Sequence, residues 1–243
     1  NSNFDQKSFG GSVSFGRELF QSFDVSAGYN IEDVEVTNFS SNVPGFFQDN
    51  ASGLTSSIIS QIAYDTRDNR ISTRQGMYHA VSSKYAGHGI GGDNDFFKVN
   101  LDSRIFLKMP IKSTLKARGL FSYVNSLNSS PVPLFERFFL GGINTLRGFD
   151  LNTIGPELRI PASAVGGDGL FTYGGNRMLL FNLEYEMPIY EPAGFRFVAF
   201  VDSGQAYAEE EKIDLFRFRS NYGFGLRWNS PFGPLRFEWG FPF

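Results

Sequence analysis

Apolar side chains return at every second position along most of this chain. In MLLFNLEYEM (178–187), Leu179, Phe181, Leu183, Tyr185 and Met187 fall on one face, and Asn182, Glu184 and Glu186 on the other. FFKVNLDSRIFLKM (96–109) sets Phe97, Val99, Leu101, Ile105 and Leu107 against Lys98, Asn100, Asp102, Arg104 and Lys108. FDVSAGYNIED (23–33), NYGFGLRW (221–228) and PLRFEWGF (234–241) repeat the pattern. A period of two sends successive side chains to opposite faces, so these stretches read as strands and not helices.

Alternation by itself fits either a soluble sandwich or a membrane barrel. Length and connections separate them. Ten strands are read near 7–19, 23–38, 54–66, 75–87, 95–108, 113–126, 177–188, 195–207, 218–229 and 234–242. A tilted membrane strand needs roughly 9–11 residues, whereas strands of soluble proteins average about 5–6. The connections FQS, TRDNRIST, PIKS, YEPAG and SPFG are short. Those near 39–53, 88–94, 127–176 and 208–217 are mostly longer. Short turns at one rim and long loops at the other mark an all-β, antiparallel transmembrane β-barrel of the outer-membrane type. Residues 1–243 read as one barrel domain.

Composition agrees with this. The chain carries 28 Phe, 10 Tyr and 27 Gly, a load suited to strands and many turns. No apolar run is long enough for a membrane helix. The net charge of −3, without a basic block, argues against nucleic acid as a partner. There is no cysteine, hence no disulfide or thiol chemistry. The start at Asn1, without Met or signal peptide, reads as a mature or trimmed fragment.

Some motifs are better read plainly. GHGIGG (87–92) fits a dinucleotide fingerprint, but a strand follows it where a helix is needed, so it reads as a hairpin loop. Asn38, Asn50 and Asn128 form chance sequons in Ser-rich loops. His79 and His88 have no metal-ligand pattern around them, and no catalytic triad is legible. Neither a metal nor a cofactor is expected.

The longest connection, 127–176, holds GGINTLRGFDLNTIGP (141–156), which reads as neither strand nor helix. Loops of this length are usually functional or disordered. Disorder fits poorly, because LFERFFLGG (134–142) is strongly apolar. The expected solution is a long extracellular loop folding into the barrel lumen. Arg147 must then find polar partners. Glu184 lies on the polar face of the next strand, and Asp202 on the Arg196/Val198/Phe200 face of the strand after it. An Arg147–Glu184–Asp202 clamp would be planar and charge-assisted. Spacing leaves a second reading open, in which Arg147 is solvated and Gly141, Gly142 and Gly148 only make turns.

GGINTLRGFDLNTIGPE resembles the sixth extracellular loop of the BamA-type outer-membrane protein insertases, whose core is an R-G-F tripeptide. Arg147, Gly148 and Phe149 match it. DNDFFKVNLD (93–102), LEYEMP (183–188), VDSGQAY (201–207) and SPFGPLRFEWGFP (230–242) resemble strands of the same family, and YDTRD (64–68) a turn of the wider superfamily. The resemblance covers most of 54–243 and is most specific in the loop and the last strands. It implies a parent barrel of about 16 strands, with the R-G-F loop in the lumen and its arginine on acidic residues that match Glu184 and Asp202. It also implies POTRA domains before the barrel, which these residues do not contain, and one strand beyond PLRFEWGFPF. The implied activity is folding and insertion of outer-membrane β-barrel clients without covalent chemistry. The implied partners are unfolded clients, accessory lipoproteins and outer-membrane lipid. The outward Tyr123, Tyr185, Trp228 and Trp239 would meet lipid or its interfaces. Rival readings are a TamA-like assembly factor, a two-partner secretion transporter, a barrel fused to a secreted enzyme, a passive porin or adhesin barrel, and a soluble sandwich.

Overall fold

The computed structural model describes residues 5–38, 52–128, 130–160, 169–230 and 232–243. Ten strands form one antiparallel meander: β1 (Asp5–Phe20), β2 (Phe23–Thr37), β3 (Gly53–Asp65), β4 (Gly76–Ala86), β5 (Phe96–Lys108), β6 (Thr114–Ser126), β9 (Arg177–Tyr190), β10 (Phe195–Tyr207), β11 (Arg219–Ser230) and β12 (Gly233–Pro242). Each pairs with its neighbour in sequence, apart from the long connection between β6 and β9. β1 and β12 are the edges, and the sheet is not closed.

The ten strands run from 10 to 16 residues, long enough for each to cross a tilted membrane span. Among the described residues no helix is long and apolar enough to cross a membrane. That does not bear on crossing by strands.

Burial reverses the soluble pattern and removes the sandwich reading. On β9, Phe181 and Leu183 are 48% and 50% exposed, while Glu184 and Glu186 are buried. On β12, Leu235, Phe237, Trp239 and Phe241 all stand exposed on one face. A soluble sheet would hide that face; lipid is the solvent that suits it. Aromatic neighbours pave it: Phe224 packs beside Trp239 and Phe241, and Phe195 stacks on Trp228. Near the short-turn rim the polar ends of the outward aromatics are satisfied. Tyr185 donates to Ser113 Oγ at 2.9 Å and the Trp228 indole donates to the Ala193 carbonyl at 2.9 Å.

The opposite, inner face carries the long connection. Its apolar front, LFERFFLGG, does not wave in solvent. Leu134, Phe138, Leu140 and Leu146 are buried. Most of them, with Val132, pack on Ala86, Phe96, Val124, Met178, Leu180 and Ala206 of the wall, and Phe149 and Ile154 complete the cluster. Burying a side chain such as Leu140 or Leu146 contributes about 1.5–3 kcal/mol each. The connection also contains elements that alternation did not reveal: a 3-10 turn at Leu134–Glu136 and a small hairpin, β7 (Glu157–Ile160) with β8 (Gly169–Thr172). Four-residue strands are too short to show a period.

Two connections read from the sequence take definite form. The β3–β4 connection, 66–75, is not a tight turn. It is an ordered loop in which Asp68 Oδ1 accepts from the amides of Asn69, Arg74 and Gln75. GHGIGG joins β4 directly to β5, with Gly87, Gly89, Gly91 and Gly92 all at positive φ, as a hairpin loop requires. The Asn50 sequon lies outside the described residues.

Candidate functional site

The loop closes on itself before it meets the wall. Gly141 and Gly142 sit at φ +110° and +87°, and a Cβ on Gly141 would lie 2.0 Å from the Asp150 carbonyl oxygen. Thr145 clips the turn, its hydroxyl accepting from Gly141 N at 2.9 Å and donating to Gly141 O at 2.8 Å. The amide of Gly142 donates to Phe149 O, and Leu140 exchanges two bonds with Ile154. Two neighbouring residues at the tip then divide the work. Leu146 enters the apolar cluster, and Arg147 enters a nest of carboxylates.

Arg147 grips Asp202 with both edges of its guanidinium. Nε donates to Oδ2 at 2.9 Å and Nη2 to Oδ1 at 2.7 Å, and the Arg147 backbone amide adds a third bond at 3.2 Å. Nη1 donates to Glu184 Oε2 at 2.9 Å and to Glu238 Oε2 at 3.3 Å. One side chain therefore ties the loop to β9, β10 and β12. The guanidinium also lies over the Phe200 ring, 3.5 Å from its centre. Asp202 is fully buried, and the amides of Asn182 and Asn221 donate to it as well, at 2.7 and 3.0 Å. Burial alone would lower the Arg147 pKa, but Asp202 and Glu184 hold it above the ordinary arginine value, so it stays cationic.

Around this grip runs a wider ionic sheet. Arg227 on β11 bonds Glu184 with both Nη atoms, at 2.7 and 2.6 Å, and reaches Glu186 and Glu238. Lys116 bonds Glu186 at 2.6 Å, and Arg196 also contacts Glu186. Bonded partners on every side are what a buried charge needs.

Glycine makes the contact close enough. Gly148 rests on Asn221, where a Cβ would be 2.7 Å from the Asn221 Cβ. Gly240 lies beneath Arg147–Gly148, and its Cβ would fall 2.6 Å from Gly148 N. Gly223, paired with Gly240 in register, leaves room for the Phe200 ring to lie flat. Phe149 packs against the apolar cluster.

The structure thus brings Arg147 together with Glu184 and Asp202 and seats Gly148 and Phe149 beside them. The solvated reading of Arg147 is set aside by its burial. Sequence reasoning did not select Glu238, Asn182, Asn221, Arg227 or Phe200. Alternation had put the first four on polar faces, but their meeting depends on register, which alternation does not supply. An aromatic at 200 on a polar face, and glycines at 223 and 240 mid-strand, were usable signals of close approach.

A second fastening was also missed. Glu136, in the 3-10 turn, takes Lys84 at 2.5 Å and Lys98 at 2.9 Å. Burial pushes its pKa up, but the charges of Lys98 and Lys84 win and hold it below the usual glutamate range. Among the described residues no group of three or more His, Cys, Asp or Glu is arranged to hold a metal ion.

Comparison with known proteins agrees with this picture. The chain is 28% identical over 241 residues to "Outer membrane protein assembly factor BamA" of Nitratidesulfovibrio vulgaris, covering 98% of this chain and 30% of that protein. It is 28% identical to the protein of the same name from Neorickettsia risticii, over 95% of this chain and 31% of that one. The chain therefore spans under a third of the length of these relatives. In fold it is similar to the crystal structure of BamA from Haemophilus ducreyi lacking POTRA domains 1–3, with a TM-score of 0.85 and 20% identity, over 98% of this chain and 51% of that one. The Omp85 superfamily domain matches residues 1–243 throughout, and the chain belongs to that superfamily.

Proposed function

We propose that this chain is the membrane domain, or part of it, of a BamA-type insertase in the bacterial outer membrane. It folds and inserts β-barrel clients as a folding catalyst, without covalent chemistry. Residues 127–176 form an extracellular loop that enters the lumen, and Arg147, Gly148 and Phe149 are its bracing motif, anchored by Glu184 and Asp202. The observation that carries this reading is the simultaneous bonding of Arg147 to three strands. It fixes the curvature of β9–β12 from inside. A seam elsewhere in the parent barrel can then open without this wall deforming. An opened strand edge is a template on which a client strand can pair. Unfolded clients are therefore the substrate, outer-membrane lipid is the solvent, and accessory lipoproteins are the expected helpers.

The test uses the full-length parent chain in liposomes. It should accelerate folding of a urea-unfolded barrel client over empty liposomes, and Arg147→Ala should remove most of that acceleration. Equal acceleration by wild type and variant would detach the brace from the activity. No acceleration by wild type, with steady single-channel conductance, would favour the passive-pore reading.

A further inference from the structure

Between the loop tip and the short-turn rim lies an inner-face cavity of about 560 Å³. Among the described residues, eight arginine and lysine side chains line it, including Arg67, Arg104, Arg118 and Arg236, but only one carboxylate, Glu184. The other acidic partners of these cations are not among the lining residues. Seven carboxylates pair with the eight cations, and one of the seven, Glu186, is shared with a ninth cation, Arg196. The cluster thus holds two more positive groups than negative ones.

The sheet is built to keep this excess. Arg104 faces Arg118 directly across β5–β6, and Arg227 faces both Arg196 and Arg236 across its two neighbours. Like charges directly opposite destabilise a sheet. Each pair shares a carboxylate: Asp102 for the first, Glu238 for Arg227 and Arg236, and Glu186 for Arg196 and Arg227. Arg67 and Arg104 both lie over the Tyr78 ring, at 4.7 and 5.5 Å. A neutral or alternating arrangement would fold more easily. What converging guanidinium forks gain over it is affinity for an oxyanion.

We propose that this cavity binds a phosphate dianion, carried by a free phosphate compound or by a lipid headgroup. Its two charges match the excess, and its several oxygens can accept from more than two guanidinium groups. The site shares Arg147, Glu184 and Arg227 with the brace but does not depend on the insertase reading.

The experiment is calorimetric titration of the full-length chain in detergent at low ionic strength and mildly alkaline pH, with inorganic phosphate, there a dianion, as the probe. Saturable binding at one per chain is expected. In R70Q/R236Q it should weaken by about tenfold, as two attractive charges are lost. That variant leaves Asp65 with Arg67, and Glu238 with Arg147 and Arg227, so no buried carboxylate is stranded. If the double variant does not fold, R70Q alone, at an exposed position on the turn, should still weaken binding. A second arm titrates dihexanoyl phosphatidic acid, with dihexanoyl phosphatidylcholine as control. Phosphatidic acid binding tighter than inorganic phosphate assigns the lipid source; equal or weaker binding assigns free phosphate. Absence of saturable phosphate binding, or unchanged affinity in the folded variants, overturns the proposal.

Discussion

The two ends of the wall differ on their inner face. From β6 through β12 that face is charged, with Lys116, Glu184, Glu186, Asp202, Arg227 and Glu238 bonded to one another and to the loop. Over β1–β4 its centre is uncharged and mostly small, with Ser12, Ser14, Ser26, Gly28, Asn30, Ser57, Ile59, Gln61 and Ser82, and the loop touches this half towards one rim, through Glu136 on Lys84 and Phe135 on Val34 and Val36. Both regions turn the same apolar face outward. The difference teaches what each inner surface does. Where a loop must be fastened, the face carries charges in fixed, bidentate geometry. Where little packs on it, hydroxyls and glycines suffice, since water can satisfy them.

The sharpest way to break this contrast is Arg147→Ala. It strands Asp202 beside two neutral amides and takes a positive partner from Glu184 and Glu238. Removing one member of a buried pair typically costs about 3–5 kcal/mol. We expect a loss of that order in denaturant unfolding of the parent chain. Hydrogen exchange should rise in 140–154 and in β9–β12 but not in β1–β4. Arg147→Lys should recover little, because an ammonium cannot span both Asp202 oxygens. Equal loss of protection in both regions would mean that the brace acts on the whole wall.

Next in size are the glycines under the loop. Gly148→Ala and Gly240→Ala each place a methyl within 2.7 Å of neighbouring atoms. Overpacking of this kind costs roughly 1–3 kcal/mol. Gly11→Ala, on the open part of the wall with no atom within 4 Å of the new Cβ, is the matched control and should stay within about 0.5 kcal/mol. If all three behaved alike in thermal melts, the close seating of the loop would not matter to stability.

Glu136 gives a pH handle on the loop's front half. Its folded pKa lies below the unfolded value of 4.5. Its contribution is therefore fully present above about pH 4.5 and is lost as pH falls through the lowered folded value. Limited proteolysis near 127–138 should accelerate on acidification across that window. Glu136→Gln should be cut faster already at neutral pH and lose the acid step. An acid step that persists in the variant would assign it to another carboxylate.

Most of the wall was legible in the sequence because period two is a local property. Phe181 and Glu184 declare their faces without reference to any other strand. The apolar run at 134–142 likewise announced that the long loop must pack on something. The site was legible only in part. Arg147, Glu184 and Asp202 could be joined because one unusual arginine needed partners on the next two strands. Glu238 and Asn221 could not, since they reach the same point only through the registers of β10–β11 and β11–β12. Glu136 was hidden by its apolar neighbours, and its lysines lie on β4 and β5, remote in sequence.

The smallest expected effect tests the neutral half directly. Ser14→Ala and Ser26→Ala each remove a hydroxyl from the open inner face, beside a cavity of about 260 Å³ that Glu136 and Lys98 also border. Substitutions away from packed or bonded features usually stay within about 0.5 kcal/mol. Both variants should therefore unfold like the parent and leave client folding unchanged. A loss well beyond that range, confined to these serines, would show that something also packs on the centre of this face in the intact barrel. The contrast would then lie between two kinds of fastening, one ionic and one through hydroxyl groups.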